Sequence, residues 1–266
     1  MGLLGKLRRR FGPQDRVTNE LQTRVPTFYP ASLNYWDFEY IAYQAADMFP
    51  QQIISLMGSD ILREVNSSES VFRKTDQALD ALFGQFGSDK ATLGYGRVYG
   101  TLLNDWGDGD GKSILEIGLG TNDPKAISSM GKHGHPGASL RAFAARYPKA
   151  RVYGADIDRS ILFTEDRIST SFVDQLKPNT FADMHKGFGL PHYDLVIDDG
   201  LHCSSANINT LLFFISISKE NSVFIVEDIP DRTLPVWAVT SSVLKYRKYD
   251  CQIVSTGKSN VFVLRV

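Results

Sequence analysis

The spacing of apolar residues changes character near residue 113. Upstream, apolar positions recur at helical intervals in "YWDFEYIAYQAADMF" (35–49), "PQQIISLMGSDILREV" (50–65) and "SVFRKTDQALDALFGQF" (70–86). Pro50 suits a helix first turn, and "NSSES" (66–70) supplies turn and cap residues. Downstream, short apolar runs alternate with helical stretches. The pattern predicts strands at 113–117, 151–156, 170–173, 193–198, 222–227, 251–255 and 260–265. It predicts helices at 137–147, 160–167, 178–186, 203–218 and 234–247. Such alternation specifies an α/β fold, a doubly wound, Rossmann-like, mostly parallel sheet of seven strands with helices on both faces. "TGKSN" joins the last two strands as a hairpin, which makes one strand near the end of the sheet antiparallel. Residues 12–34, with Pro13, Pro26 and Pro30, read as an extended connector. The expected organisation is an N-terminal helical extension or lid over 1–83 and a sheet domain over 84–266.

Composition narrows the class. The chain has 266 residues, of which 42% are apolar, enough for a sizeable core. A net charge of −1 argues against wrapping nucleic acid, and no nucleic-acid partner is expected. Two cysteines, Cys203 and Cys251, suit a reducing compartment. With no 18-residue apolar run and no signal-peptide pattern at the start, a cytoplasmic location is expected. The opening "GLLGKLRRRFG" sets Leu3, Leu4, Leu7 and Phe11 on one helical side among Lys6, Arg8, Arg9 and Arg10. This reads as a packed or frayed terminal helix, or as a peripheral contact with the inner face of an anionic membrane. "MGLLGK" lacks the Ser or Thr of a myristoylation signal.

Candidate chemistry gathers where predicted strands stop. "SILEIGLGTND" is a strand followed by Glu116-x-Gly118-x-Gly120, and glycines there let a ligand approach the backbone. A dinucleotide fingerprint requires a third glycine and an acid about 20 residues on. Here the residue three after Gly120 is Asp123, and the acid ending the next strand, Asp156, is 36 positions away. The spacing tells against a nicotinamide cofactor and suits an adenosyl ligand whose ribose hydroxyls are held by Asp156. Asp158 reads as an N-cap for a helix starting near Ser160.

Two further strands end in acids, "YDLVIDDGLH" (193–202) and "SVFIVEDIP" (222–230). If these strands pair, their tips lie about 5 Å apart. Asp199, Glu227 and Asp228 then converge. Taken singly, Asp198 or Asp199 could cap the following helix and Glu227 and Asp228 could face water. Together, three carboxylates require a cation, and oxygen ligands select Mg²⁺, Mn²⁺ or Ca²⁺ over zinc. His202 stands beside them as a candidate base. "DWGDGDG" (105–111) lacks the terminal Glu of a calcium loop and reads as a solvated turn. His133 and His135 lie in a Gly-rich loop that could cover the site. Cys203 and His202 are adjacent on a helix start, point apart, and do not form a nucleophile pair.

"LEIGLG", "GASLRAF", "VYGADID", "FVDQ", "YDLVIDDGLH" and "FIVEDI" occur in the order of the class I S-adenosylmethionine methyltransferases. More closely, residues 84–265 resemble the metal-dependent macrolide-sugar O-methyltransferases of the macrocin and mycinamicin type, and bacterial cell-surface polysaccharide methyltransferases. The resemblance implies S-adenosyl-L-methionine and Mg²⁺ (or Mn²⁺) as cofactors. It places Glu116, Gly118, Gly120, Ser139, Asp156, Asp174, Asp199 and Tyr95 at the cofactor, Asp156 on the ribose and Asp174 of "FVDQ" on the adenine amine. It makes Asp199, Glu227 and Asp228 the metal ligands and His202 the general base. "FGSDKATLGYGRVYG", with Tyr95 and Tyr99 four apart, is similar to a family segment that encloses the cofactor. The implied partner is a saccharide, nucleotide-sugar or glycan acceptor, and a homo-oligomer is expected. The sequence departs from the family at Leu201, where Ser is usual, at Leu93–Gly94, where a histidine is usual, and in the length of the 121–136 insertion. Two other readings stay open: a hydroxylase-like oxidoreductase component of the same fold, and a non-catalytic adenosyl-binding partner.

Overall fold

The computed structural model describes residues 65–266 apart from Lys125 and Ile127. The basic N-terminal segment, the connector at 12–34 and the helices expected over 35–65 lie outside the described residues, except that Val65 opens a strand. The elements in chain order are β1 (Val65–Ser67), α1 (Ser68–Val71), α2 (Gln77–Phe86), α3 (Lys90–Leu93), α4 (Tyr95–Leu102), β2 (Ser113–Ile117) and α5 (Ala138–Arg146). There follow β3 (Arg151–Asp156), β4 (Thr164–Glu165), β5 (Ile168–Phe172), α6 (Pro178–Phe188), β6 (Leu195–Asp198) and α7 (Ser204–Ile217). The last four are β7 (Val223–Val226), α8 (Leu234–Tyr246), β8 (Asp250–Ser255) and β9 (Asn260–Arg265).

The strands form one sheet in the order β1-β8-β9-β7-β6-β2-β3-β5-β4. From β7 through β6, β2 and β3 to β5 all neighbours are parallel, while β9 runs antiparallel to both β7 and β8. Two short edge strands, β1 and β4, extend the expected seven to nine among the described residues. The central strands are buried throughout, as parallel strands covered on both faces must be. Their side chains alternate between two cores. Ile114, Leu195, Ile197 and Ile225 face Leu79, Phe83, Tyr99, Leu140 and Phe143. Leu115, Val196, Phe224 and Val226 face Phe181, Leu211, Phe214 and Trp237. Among the described residues no helix is long and apolar enough to cross a membrane.

Two expectations need correction. No α-helix covers 160–167. Asp158 accepts the Ser160 N–H at 2.9 Å and caps a single 3₁₀ turn, Arg159–Ile161, so its capping role holds. The chain then turns into the β4–β5 hairpin, where Thr170 Oγ1 accepts the Phe163 N–H and Arg141 grips Glu165 with a two-nitrogen ion pair. Strand β5 therefore starts at Ile168 rather than 170. The helix expected over 70–86 is broken: residues 72–76 belong to neither helix nor strand, and α2 starts after Asp76, whose side chain caps Leu79 N–H at 3.0 Å. This irregular stretch is held by α4, since Asp76 N–H donates to Gly96 O and Gly100 lies against the backbone of residues 74–76. Within the described part of the expected extension, Leu79 and Phe83 of α2 are core residues and β1 pairs with β8.

Candidate active site

Four parallel strands, β7, β6, β2 and β3, end side by side. Ile117 pairs with Asp198 and Asp198 with Val226, so Gly118, Asp199 and Glu227 leave the sheet at one level. Backbone hydrogen bonds carry the register one step further: Asp199 N–H to Ile117 O, Glu227 N–H to Asp198 O and Gly118 N–H to Ala155 O. Between β2 and β6 the winding of the sheet reverses, which opens a crevice at the carboxyl ends of the strands.

Two glycines shape that crevice. Gly118 has φ +96°, and a Cβ there would stand 2.1 Å from the Asp199 carbonyl oxygen. Its smallness lets the β2 turn pass against the β6 turn. At Gly120, φ +77°, the space a Cβ would take is filled by the Met130 thioether of the long 121–136 insertion. His135, from the same insertion, packs on Gly87 ahead of the "SDK" segment, and Ser128, Met130 and His135 all line the cleft.

Beneath the cleft lies a buried ionic cluster. The Lys90 ammonium, 1% exposed, donates to Asp199 Oδ2 at 2.5 Å and to Glu227 Oε2, and pairs with Glu116 Oε1 at 3.1 Å. The other oxygens are engaged too: Ser139 Oγ donates to Glu116 Oε2 at 2.6 Å and the Tyr99 hydroxyl donates to Glu227 Oε1. Burial pushes the Glu116 and Glu227 carboxyls up, Lys90 opposes this, and Asp199 adds to it. Burial also works against the Lys90 ammonium, but Asp199, Glu227 and Glu116 outweigh it and hold its pKa well above the usual lysine value.

A second group faces the cleft. One ligand atom each of Asp199, His202 and Asp228 lies within 4.8 Å of the others, and all three are half-buried. His202 Nε2 stands 3.9 Å from Asp199 Oδ1, while its Nδ1 is buried without a hydrogen-bond partner. Asp228 Oδ1 accepts from the Tyr95 hydroxyl at 2.5 Å and Ser259 Oγ at 2.8 Å. Burial, with Glu227 and Asp228 beside it, pushes the Tyr95 phenol far up, so Tyr95 remains a neutral donor. His202 and Asp228 hold positive φ, 53° and 49°, a strained conformation for non-glycine residues that gathers at functional sites. Three carboxylates thus face a single ammonium, and one of them, Asp199, reaches the cleft with a fourth, Asp228, and an imidazole. This oxygen-rich, charge-deficient donor set fits a hard divalent cation.

The remaining expected residues take up positions around this centre. Asp198, fully buried, accepts from Gln175 Nε2 at 2.8 Å and from Gly200 N–H, and so shapes the turn that presents Asp199. Gln175 also accepts the Leu201 N–H, and its side chain lies where a Cβ on Gly200 would fall. Asp156 accepts the N–H groups of Leu119 at 2.7 Å and Asp158 at 2.8 Å, bracing the glycine-rich turn. Asp174 pairs with Lys177 at 2.6 Å and accepts the Leu176 N–H. Asp156 and Asp174 stand outside the cleft walls, which Gly118, Gly120, Ser139, Asp199, His202 and Asp228 help to form. Sequence reasoning missed Lys90, Ser259 and Gln175 as site components. Lys90 was visible in "GSDK", but no local pattern ties it to Asp199, 109 residues away.

The central order β5-β3-β2-β6-β7-β9-β8, with β9 antiparallel, is the class I methyltransferase fold. No family model matches the sequence. Two relatives align with it. One is the 8-demethyl-8-alpha-L-rhamnosyl tetracenomycin-C 2′-O-methyltransferase of Streptomyces olivaceus, 28% identical over 125 residues, 47% of this chain and 30% of that protein. The other is the demethylmacrocin O-methyltransferase of Streptomyces fradiae, 27% identical over 119 residues, 44% of this chain and 27% of that protein. The match thus spans less than a third of either relative. Among solved structures, MycE methyltransferase from the mycinamycin pathway, in complex with Mg and SAH, superposes with TM-score 0.55 at 20% identity over 73% of this chain and 55% of that one. MycE with Mg, SAH and mycinamycin VI gives TM-score 0.56 at the same identity and coverage. The chain resembles these sugar O-methyltransferases in sequence and MycE in fold.

Proposed function

We propose that the chain is a metal-dependent O-methyltransferase that moves the methyl group of S-adenosylmethionine to a hydroxyl of a sugar or glycan. The observation that carries this reading is the meeting of Asp199, Asp228 and His202 at adjacent strand ends, beside the glycine-rich turn. The relatives' names, all methyltransferases and one naming a rhamnosyl tetracenomycin, support it. Asp199 and Asp228 are the cleft-facing residues that would hold a divalent cation, with Glu227, the third expected ligand, held behind them by Lys90 and Tyr99; Gly118, Gly120 and Ser139 border the place for the adenosyl group, and Tyr95 braces Asp228. Once bound, S-adenosylmethionine supplies the sulfonium methyl and the cation supplies charge that lowers the pKa of a sugar hydroxyl.

The chain's own residues do the rest. His202, 29% exposed, takes the hydroxyl proton at Nε2, which faces Asp199. Asp199 and Asp228 then stabilise the imidazolium. Tyr95 and Ser259 fix the Asp228 carboxylate, and Lys90 and Tyr99 fix Glu227. The insertion carrying Met130 and His135 covers the turn and keeps water from it. The cleft-facing metal donors are carboxylates, with a single histidine left free as the base, which favours Mg²⁺ or Mn²⁺ over the two-histidine set of a non-haem iron oxygenase. The test is methyl transfer from labelled S-adenosylmethionine to a panel of nucleotide sugars and glycans. His202→Ala should lower turnover by about 10²-fold or more while leaving S-adenosylhomocysteine affinity within a few-fold. Near-wild-type turnover in that variant would remove His202 as the base.

A further inference from the structure

Lys90 is built into the carboxylate cluster as few lysines are. It is 1% exposed, on the short helix α3, and its ammonium donates to two carboxylates, Asp199 after β6 and Glu227 after β7, and forms an ion pair with a third, Glu116 at the end of β2. Glu116, Asp199 and Glu227 bring one oxygen each within 4.8 Å of one another, a grouping able to hold an ion by itself. The position an ion would take among them is where the ammonium lies. Asp199 is shared: Oδ2 is on Lys90, and Oδ1 faces His202 on the cleft side. Asp228 contacts Tyr95 and Ser259 and makes no ion pair with Lys90. The acids therefore form two layers, an inner one closed by a side chain of the protein and an outer one open to the cleft.

We infer that Lys90 is the resident cation of this site: it holds the inner carboxylates together before any divalent ion arrives, and stays in place when one binds the outer oxygens of Asp199 and Asp228. A buried ammonium facing three carboxylates still leaves negative charge in excess, which draws a second, divalent cation to the outer layer rather than excluding it. The consequence is a site preformed without metal. Its metal affinity depends on the outer pair, and its folding depends on Lys90. The inference extends the proposed cation site but stands on Lys90's own contacts.

The test pairs thermal unfolding with Mn²⁺ binding read by electron paramagnetic resonance. The wild-type protein in EDTA should unfold within a few degrees of its temperature with excess Mg²⁺. Lys90→Met leaves three carboxylates facing one another, so in EDTA its melting temperature should fall by roughly 10 °C or more. Mg²⁺ should recover much of that loss by taking the vacated inner position. Asp228→Asn should abolish Mn²⁺ binding yet melt in EDTA within a few degrees of wild type. Should Lys90→Met fold too poorly to measure, Lys90→Met/Glu116→Gln, which removes one carboxylate with the lysine, should be more stable in EDTA than the single variant. The inference is overturned if Lys90→Met melts like wild type in EDTA, or if Mg²⁺ raises both by the same amount. If wild type binds no Mn²⁺ but Lys90→Met is destabilised in EDTA, the divalent site falls and the resident cation stands.

Discussion

Gly118 shows how tightly the site is assembled at the scale of single residues. With φ +96° and the Asp199 carbonyl 2.1 Å from where a Cβ would sit, it cannot accept a side chain without moving the β6 turn. Gly118→Ala should cost about 2 kcal/mol or more, combining left-handed strain with the clash. Urea unfolding would measure that loss, and a stability equal to wild type would show that the two turns do not press together. Residues that belong to one chain segment were legible in the sequence: the acids of "DDG" and "ED" stand at strand ends and do converge through the β6–β7 pairing. The partners that complete them were not. Lys90, Gln175 and Ser259 reach the site from 109, 23 and 31 positions away, to Asp199, Asp198 and Asp228 respectively, and no periodicity encodes such contacts. Converging carboxylates demand a cation, and the chain's own ammonium, Lys90, meets part of that demand.

At the scale of elements, the central strands were the most legible part, because strands buried on both faces are short unbroken apolar runs. Residues 113–117, 151–156 and 260–265 fall where the pattern puts them. The misread stretch, 160–167, carries the same residue types as a helix, and only the pairing of β4 with β5 and the Arg141–Glu165 ion pair make it a hairpin. Strand pairing also has its own pH signature. Asp194, just before β6, accepts from Ser113 N–H at 2.9 Å and Ser113 Oγ at 3.0 Å and pairs with Lys219 at 2.9 Å, tying the start of β2 to β6. Burial works to raise its carboxyl, but Lys219 and Ser113 outweigh burial and hold it below the ordinary value. A depressed folded pKa adds stability that is fully present above the unfolded value, about 4, and is lost as pH falls through the folded one. Asp194→Asn should therefore be less stable than wild type near pH 7, and the gap should narrow below about pH 4. Denaturant melts across that range would check it; a gap independent of pH would mean that the Asp194 charge is not what ties the strands.

The described residues form a sheet whose winding reverses between β2 and β6, with acids at the tips on both sides of the reversal. The fold class and the direction of the strands followed from the alternation of strand and helix. The sequence suggested that the Gly-rich loop with His133 and His135 could cover the site, but such loops carry no period, and it is Met130 against Gly120 and His135 against Gly87 that reveal where it lies. The central claim is that a divalent cation and an adenosyl group share the cleft at these strand tips. A crystal grown with S-adenosylhomocysteine and MnCl₂, read by anomalous scattering at the manganese edge, tests it most directly. The account predicts a manganese peak within bonding distance of the Asp199 and Asp228 carboxylates, with the adenosyl sulfur in the same cleft beside His202. Manganese found elsewhere or not at all, or a nucleoside bound away from the glycine-rich turn, would contradict it.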